Sequence, residues 1–398
     1  MTAAILAAVL AAAGCGPDAP PDRPAASGAD AEAAAAPSWE FLHVADFRGR
    51  LTDVAALAAD DVWAVGAEDD GGAVVLLHHD GARWTREPLP EGLGEVRYPP
   101  RLEGAGAEEL WLVPVAGAEG DASWARWDGA RWSALPAPPR DADAASAVLP
   151  TAGPDIEVAG PDDAWVLTGP RTAAHWDGGR WTPTRLPHPA ADLAVAGPDD
   201  VWAVGHRTTG PGTGSVAGLP YAQPAATHWD GTAWKPVRTP RYRFDEPLPA
   251  EPGASLDRVL ALDGGEVLAR GRHTFNHGEL ENEPRSEDIR LRWDGSRWVR
   301  QEPPPGRCDR APVAWVDGGL LVDGHRYLTG DGRCVRIGIP RLPESAGARG
   351  TSKQSLRVEG THRVPGSGEW LAAGHVRVDR SGDPFAAPVV VRLRSGGS

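Results

Sequence analysis

From Trp39 onward, short apolar runs alternate with polar turns in a fixed order. One kind of run carries a Trp and ends in Gly: Asp61-Val62-Trp63-Ala64-Val65-Gly66, then Ala164-Trp165-Val166-Leu167-Thr168-Gly169 and Val201-Trp202-Ala203-Val204-Gly205, with Leu110-Trp111-Leu112-Val113 between them. Weaker versions follow at 266–271, 320–324 and 370–374. Continuous apolar runs bounded by turn residues predict strands buried on both faces. Each follows another short run, such as 54–58, 193–196 or 259–262, across an acidic turn such as Asp199-Asp200.

A second element is Asp-Gly-x-x-Trp. It stands at Asp80-Gly81 with Trp84, Asp128-Gly129 with Trp132, Asp177-Gly178 with Trp181, Asp230-Gly231 with Trp234 and Asp294-Gly295 with Trp298. Four copies carry another Trp before the Asp: Trp127, Trp176, Trp229 and Trp293. Two Trp flanking Asp-Gly predict a β-hairpin, with Gly at φ > 0 and the indoles meeting across the strands. Arg83, Arg131, Arg180 and Arg297 precede the second Trp, in reach of the Asp. A two-residue Gly-x loop and a longer Asp-Gly loop both fit.

The hairpin Trp positions step by 48, 49, 53 and 64 residues, and a period near ~50 marks a repeat architecture. Each unit holds four strands: an inner run, the Trp run, and the two arms of the hairpin. Seven units of four antiparallel strands predict an all-β, seven-bladed β-propeller over 39–398. The seventh unit stops after its third strand at 389–393, while 39–42 precedes the first unit. The N-terminal strand is therefore expected to close the last blade and the ring.

Composition narrows the function classes. The 398 residues carry a formal net charge of −15, which disfavours nucleic acid because no basic excess is available to displace counterions. Gly 49 and Pro 39 fit a chain of many turns, and the repeat positions absorb most of the 17 Trp.

Residues 3–13 form an apolar run too short to span a bilayer, ending in Ala12-Ala13-Gly14-Cys15. This segment resembles the bacterial lipobox, in which the Cys is lipidated and becomes the mature N-terminus. The resemblance implies a signal peptide over 1–15, lipidation at Cys15, and an extracytoplasmic, lipid-anchored protein of the cell envelope, at the outer membrane in a Gram-negative cell. Residues 16–38 are almost entirely small, Pro or acidic and predict a disordered tether.

The combination of Asp-Asp-Val-Trp-Ala-Val-Gly with His-Trp-Asp-Gly-x-x-Trp resembles the Trp-rich kelch-like propeller repeats of exported bacterial proteins. The sixth unit departs from it, with Cys334 after Arg333 in place of the hairpin Trp, and the seventh lacks the hairpin motif. The resemblance implies a secreted or anchored propeller, of a kind whose members mostly have no assigned activity.

With Cys15 assigned to lipid, Cys308 and Cys334 remain as an even pair in an oxidising compartment and are expected to form a disulfide. His78, His175 and His228 share one repeat position with Arg126 and Arg292; Arg is not a usual metal ligand, so no metal site is expected there. The recurring pairs Asp60-Asp61, Asp162-Asp163 and Asp199-Asp200 are read as turn caps. No nucleophile elbow, phosphate loop or metalloprotease helix occurs, and no catalytic residue or cofactor is expected. The reading is a non-enzymatic binding or scaffolding module for an envelope protein or polysaccharide; the alternative is a polysaccharide hydrolase or lyase with its site on the propeller face.

Three long connections, 206–223, 236–255 and 272–287, are expected as neighbours on one face. They carry the candidate binding residues His206, Tyr221, Tyr242, Phe244, His273, Phe275 and His277.

Overall fold

The computed structural model describes residues 36–394 apart from 70–71, 92, 94–97, 105–108, 115–123, 140–155, 209–214, 217–218, 244–251, 263–264, 275–285, 311, 317, 349–350 and 380–382. It is a β-propeller built from four-stranded antiparallel sheets.

Strand β1 (Ser38–Val44) comes first in the chain but belongs to the last sheet. The first repeat forms β2 (Gly49–Ala58), β3 (Asp61–Glu68), β4 (Val74–His79) and β5 (Trp84–Glu87). The second forms β6 (Arg101–Gly104), β7 (Leu110–Val113), β8 (Trp124–Trp127) and β9 (Trp132–Leu135), and the third β10 (Ile156–Gly160), β11 (Asp163–Gly169), β12 (Thr172–Trp176) and β13 (Trp181–Arg185).

The fourth and fifth repeats share one eight-stranded sheet. It contains β14 (Ala190–Gly197), β15 (Asp200–Thr208), β18 (Ala222–Trp229) and β19 (Trp234–Val237), then β20 (Gly253–Ala261), β21 (Val267–Thr274), β22 (Glu287–Trp293) and β23 (Trp298–Arg300). The two antiparallel halves join through one parallel pair, Ala222 with Gly253. A separate two-stranded hairpin, β16 (Ser215–Val216) and β17 (Leu219–Pro220), lies between β15 and β18.

The sixth repeat forms β24 (Pro312–Val316), β25 (Gly319–Val322), β26 (Arg326–Leu328) and β27 (Cys334–Arg336). In the last sheet β28 (Lys353–Arg363), β29 (Trp370–Asp379) and β30 (Phe385–Arg394) are completed by β1, which pairs with β30 from Ser38–Arg394 to Val44–Val389. The N-terminal strand thus closes the C-terminal sheet, as expected from the sequence.

The first strands of successive sheets lie side by side, β28 against β2, β2 against β6, β6 against β10, β10 against β14 and β14 against β20. The second strands lie one layer out with both faces covered. Val62 through Val65 are therefore all buried, which explains a continuous apolar run rather than an alternating one. The core sits between sheets: β2 to β4 pack on β29 and β30, β3 and β4 on the second repeat, and β15 on the fifth repeat.

The Gly after the Trp run does not end the strand in the first and fourth repeats, where β3 continues to Glu68 and β15 to Thr208, whereas β11 ends at Gly169. A Cβ on Gly66 would stand 2.1 Å from the Arg50 carbonyl oxygen, and one on Gly205 2.1 Å from that of Pro189. At both places the first strand bulges toward its neighbour, between Leu51 and Asp53 and between Ala190 and Asp192. The Gly marks this close backbone approach.

Candidate functional site

The hairpins carry a four-residue Asp-Gly-x-x loop, which decides between the two lengths the sequence allowed. Trp127 pairs with Trp132, and Asp128 Oδ1 accepts the backbone N–H groups of Ala130 and Arg131 at 3.0 and 2.9 Å. Equivalent bonds recur at Asp80, Asp177, Asp230 and Asp294. Backbone donors hold the Asp80, Asp128 and Asp177 carboxyls below their ordinary range, and the Ser296 hydroxyl with backbone donors lowers Asp294 to about 2. The expected Asp–Arg contacts across the loop form at 3.5–4.0 Å, but the Arg side chains are exposed and contribute little.

The indoles do more between sheets than within them. Trp127 and Trp132 tilt against each other at 5.5 Å, and both rings pack on Trp63 of the preceding repeat at 5.1 and 5.4 Å. The same three-ring group forms from Trp111 with Trp176 and Trp181, from Trp165 with Trp229 and Trp234, and from Trp202 with Trp293 and Trp298.

Each of these second-strand Trp is backed by a carboxylate and a cation or imidazole. Asp61 Oδ1 accepts the Trp63 Nε1–H at 3.0 Å and meets His78 Nε2 at 2.9 Å, while the His78 ring stacks on Trp63 at 4.0 Å. Asp200, Trp202 and His228 repeat the arrangement, and Asp163 meets His175 at 2.9 Å. Glu109 accepts from Trp111 Nε1 at 2.7 Å and from Arg126 at 2.6 Å. Glu266 pairs with Arg292 and Glu369 with Arg392, each at 3.2 Å. In these six pairs Asp meets His and Glu meets Arg. The short carboxylate needs the short partner, and the longer one reaches the guanidinium. The second Asp of each Asp-Asp pair is thus a partner of the third strand rather than a turn cap. The shared His/Arg position faces these carboxylates across the sheet, and no cluster of three or more potential metal ligands occurs among the described residues.

The first strands hold polar groups that their Ala- and Val-rich pattern obscured. Asp53 Oδ2 accepts the Leu102 N–H at 3.1 Å, Asp192 Oδ2 the Val259 N–H at 2.7 Å, and His362 Nδ1 the Ala56 N–H at 3.2 Å. Each bond joins a first strand to the first strand of the next repeat. Burial raises the Asp53 carboxyl and lowers the His362 imidazole from their ordinary values.

Cys308 and Cys334 form a disulfide, tying the segment before β24 to the start of β27. Cys15, Phe244, Phe275 and His277 lie outside the described residues. Of the other candidate binding residues, Tyr242 and His273 come together with ring centroids 5.1 Å apart. Gln223 fixes Tyr242 by accepting its backbone N–H at 2.8 Å and donating to its carbonyl at 2.9 Å. The Arg300 guanidinium lies 4.2 Å above the Tyr242 ring and donates to the Arg241 carbonyl. Burial raises the Tyr242 phenol and lowers the His273 imidazole. Tyr221 is half-buried just before β18. His206 sits apart from this pair, beside Arg171 and His188, a group the sequence reading passed over because neither residue occupies a repeat position. Among the described residues, no helix is long and apolar enough to cross a membrane.

No protein-family description and no curated protein sequence matches this chain. Among solved structures it is similar to the N-terminal domain of Nup159, at 11% identity and a TM-score of 0.42 over 90% of this chain and 96% of that one. It is also similar to the GH74 xyloglucanase from Xanthomonas campestris, at 17% identity and TM-score 0.36 over 82% of this chain and 44% of that one. A third is the six-bladed β-propeller lectin of Aleuria aurantia, at 14% identity and TM-score 0.31, covering 67% and 81%.

Proposed function

We propose that the eight-stranded sheet represents the fourth and fifth blades of a seven-bladed ring, and that the ring is a non-enzymatic binding or scaffolding module. In this reading Cys15 carries a lipid, residues 16–38 tether the ring, and the partner is a protein or polysaccharide of the cell envelope. The observation that carries it is the use of the repeated polar side chains. Asp61, Asp200 and Glu109 hold indole N–H groups in place, and Asp53, Asp192 and His362 bind backbone N–H groups of neighbouring repeats. These groups serve assembly, which leaves binding to the connection face around Tyr242 and His273.

A glycan array combined with product analysis tests this reading. Retention of a glycan without turnover supports it; new reducing ends would replace it with the hydrolase or lyase alternative. Fractionation tests the anchor, since Cys15→Ser should move the protein from the membrane to the soluble envelope or medium fraction. Unchanged fractionation would overturn the lipid assignment.

A further inference from the structure

Turns between second and third strands, and links from one repeat to the next, emerge on one face of the ring. There the turn after β11, the link from β13 to β14 and the end of β15 are joined by backbone bonds. Leu186 N–H donates to the Arg171 carbonyl at 2.9 Å, Ala190 N–H to that of Pro170 at 2.7 Å, and His206 N–H to that of Pro189 at 3.2 Å. The Arg171 guanidinium adds a bond to the Pro187 carbonyl. Gly205 lets the Pro189 carbonyl approach so closely that a Cβ would stand 2.1 Å from it. Three segments thus form one fixed ledge.

The ledge presents Arg171, His188, His206 and Arg207, with Arg241 beside them. Among the described residues no carboxylate forms an ion pair with Arg171, Arg207 or Arg241, in a chain whose net charge is −15. The groups act on one another instead. Burial lowers His188, followed by the charges of Arg171, Arg207 and His206; burial and Arg171 lower His206; burial and Arg241 lower Arg207. The guanidinium groups of Arg171, Arg207 and Arg241, brought together on and beside the ledge, make a positive potential that an anion relieves.

We propose that this ledge binds an acidic polysaccharide, a chain of uronate sugars whose successive carboxylates meet Arg171, Arg207 and Arg241. The proposal rests on the binding-module reading and names its ligand class. Guanidinium groups take carboxylates through two parallel N–H bonds. The order along the rim, from Arg171 to Arg207 to Arg241, suits a linear polymer with regularly spaced charges. An acidic peptide would meet the same charges but must order a flexible backbone to do so, whereas a stiff pyranose chain holds its carboxylates spaced before it binds.

Titration calorimetry of the full chain with oligogalacturonate, polyglutamate and neutral dextran decides the matter. Oligogalacturonate is expected to bind, more weakly as salt rises, while the other two bind at least tenfold more weakly. Arg171→Glu and Arg207→Glu should each lower oligogalacturonate affinity at least tenfold, and Arg171→Lys should retain part of it. Unchanged near-ultraviolet circular dichroism of the Trp residues will show that the variants fold. Equal affinity for polyglutamate, unchanged affinity of both Glu variants, or no binding of oligogalacturonate would each overturn the proposal. If oligogalacturonate fails but another glycan or an envelope protein binds without turnover, the ledge assignment alone fails; turnover would remove the module reading as well.

Discussion

The Trp39 indole N–H donates to the Gly324 carbonyl at 2.7 Å, joining residues 285 positions apart. Trp39 lies on β1 in the last sheet, and Gly324 turns the chain between β25 and β26 in the sheet before it. The bond locks the chain's first strand onto the neighbour of the sheet it completes. Trp39 is 3% exposed and packs in the cluster that unites these sheets. Trp39→Ala is expected to lower unfolding free energy by ~3–5 kcal/mol, because a large buried ring leaves a cavity. Trp39→Phe keeps most of the packing and should lose less. Calorimetric unfolding of the two variants separates packing from the hydrogen bond.

The matched carboxylate pairs make a second prediction. Glu109→Ala strips both the Trp111 N–H and the Arg126 guanidinium of their acceptor, which should cost roughly 2 kcal/mol for buried donors left unsatisfied. The double change Glu109→Asp with Arg126→His rebuilds the short version of the pair seen at Asp61 and His78. It should recover most of that loss in a urea titration, whereas Glu109→Asp alone should not.

Reduction of the Cys308–Cys334 disulfide should destabilise the protein by about 3 kcal/mol, the chain-entropy expectation for a loop of this length. The sixth repeat should feel it first. It lacks the hairpin Trp, so its β26–β27 hairpin rests on this bond where the first five repeats rest on indoles. Hydrogen exchange with and without reductant should show protection lost at 326–336 before the first repeat.

His362 and the hairpin carboxylates set the acid limb of stability. Burial keeps the His362 imidazole below its ordinary pKa, so its neutral form contributes fully above about 6.5 and that contribution falls as pH drops through this value. Protonation of Nδ1 would also break its bond to the Ala56 N–H. His362→Asn offers an acceptor that does not titrate, and should flatten the decline in melting temperature between pH 7 and 5. Asp80, Asp128, Asp177 and Asp294 have lowered values, so their contribution is complete above about 4 and is lost below it. Asp→Asn changes at these hairpins should blunt the lower transition only.

The order of strands, the Asp-Gly hairpins, the closing role of the first strand and the Cys308–Cys334 pair were all legible in the sequence, because each depends on local pattern or on a count. A buried second strand needs an unbroken apolar run, and an Asp-Gly turn needs a residue that tolerates positive φ, as Gly129 does at 87°. The spacing of Glu109 and Arg126 was equally present in the chain, but their meeting depends on register across β7 and β8, where Trp111 stands opposite Arg126. Only the tertiary structure decided which contacts cross between repeats. Trp63 meets Trp127, Asp53 reaches Leu102, and the links around Arg171, His188 and Arg207 converge. The indole groups recur with the repeat, but the repeat alone does not say which faces of neighbouring sheets meet. The contacts arise because neighbouring twisted sheets must bury their faces against each other, and that packing sets which side chains share a space.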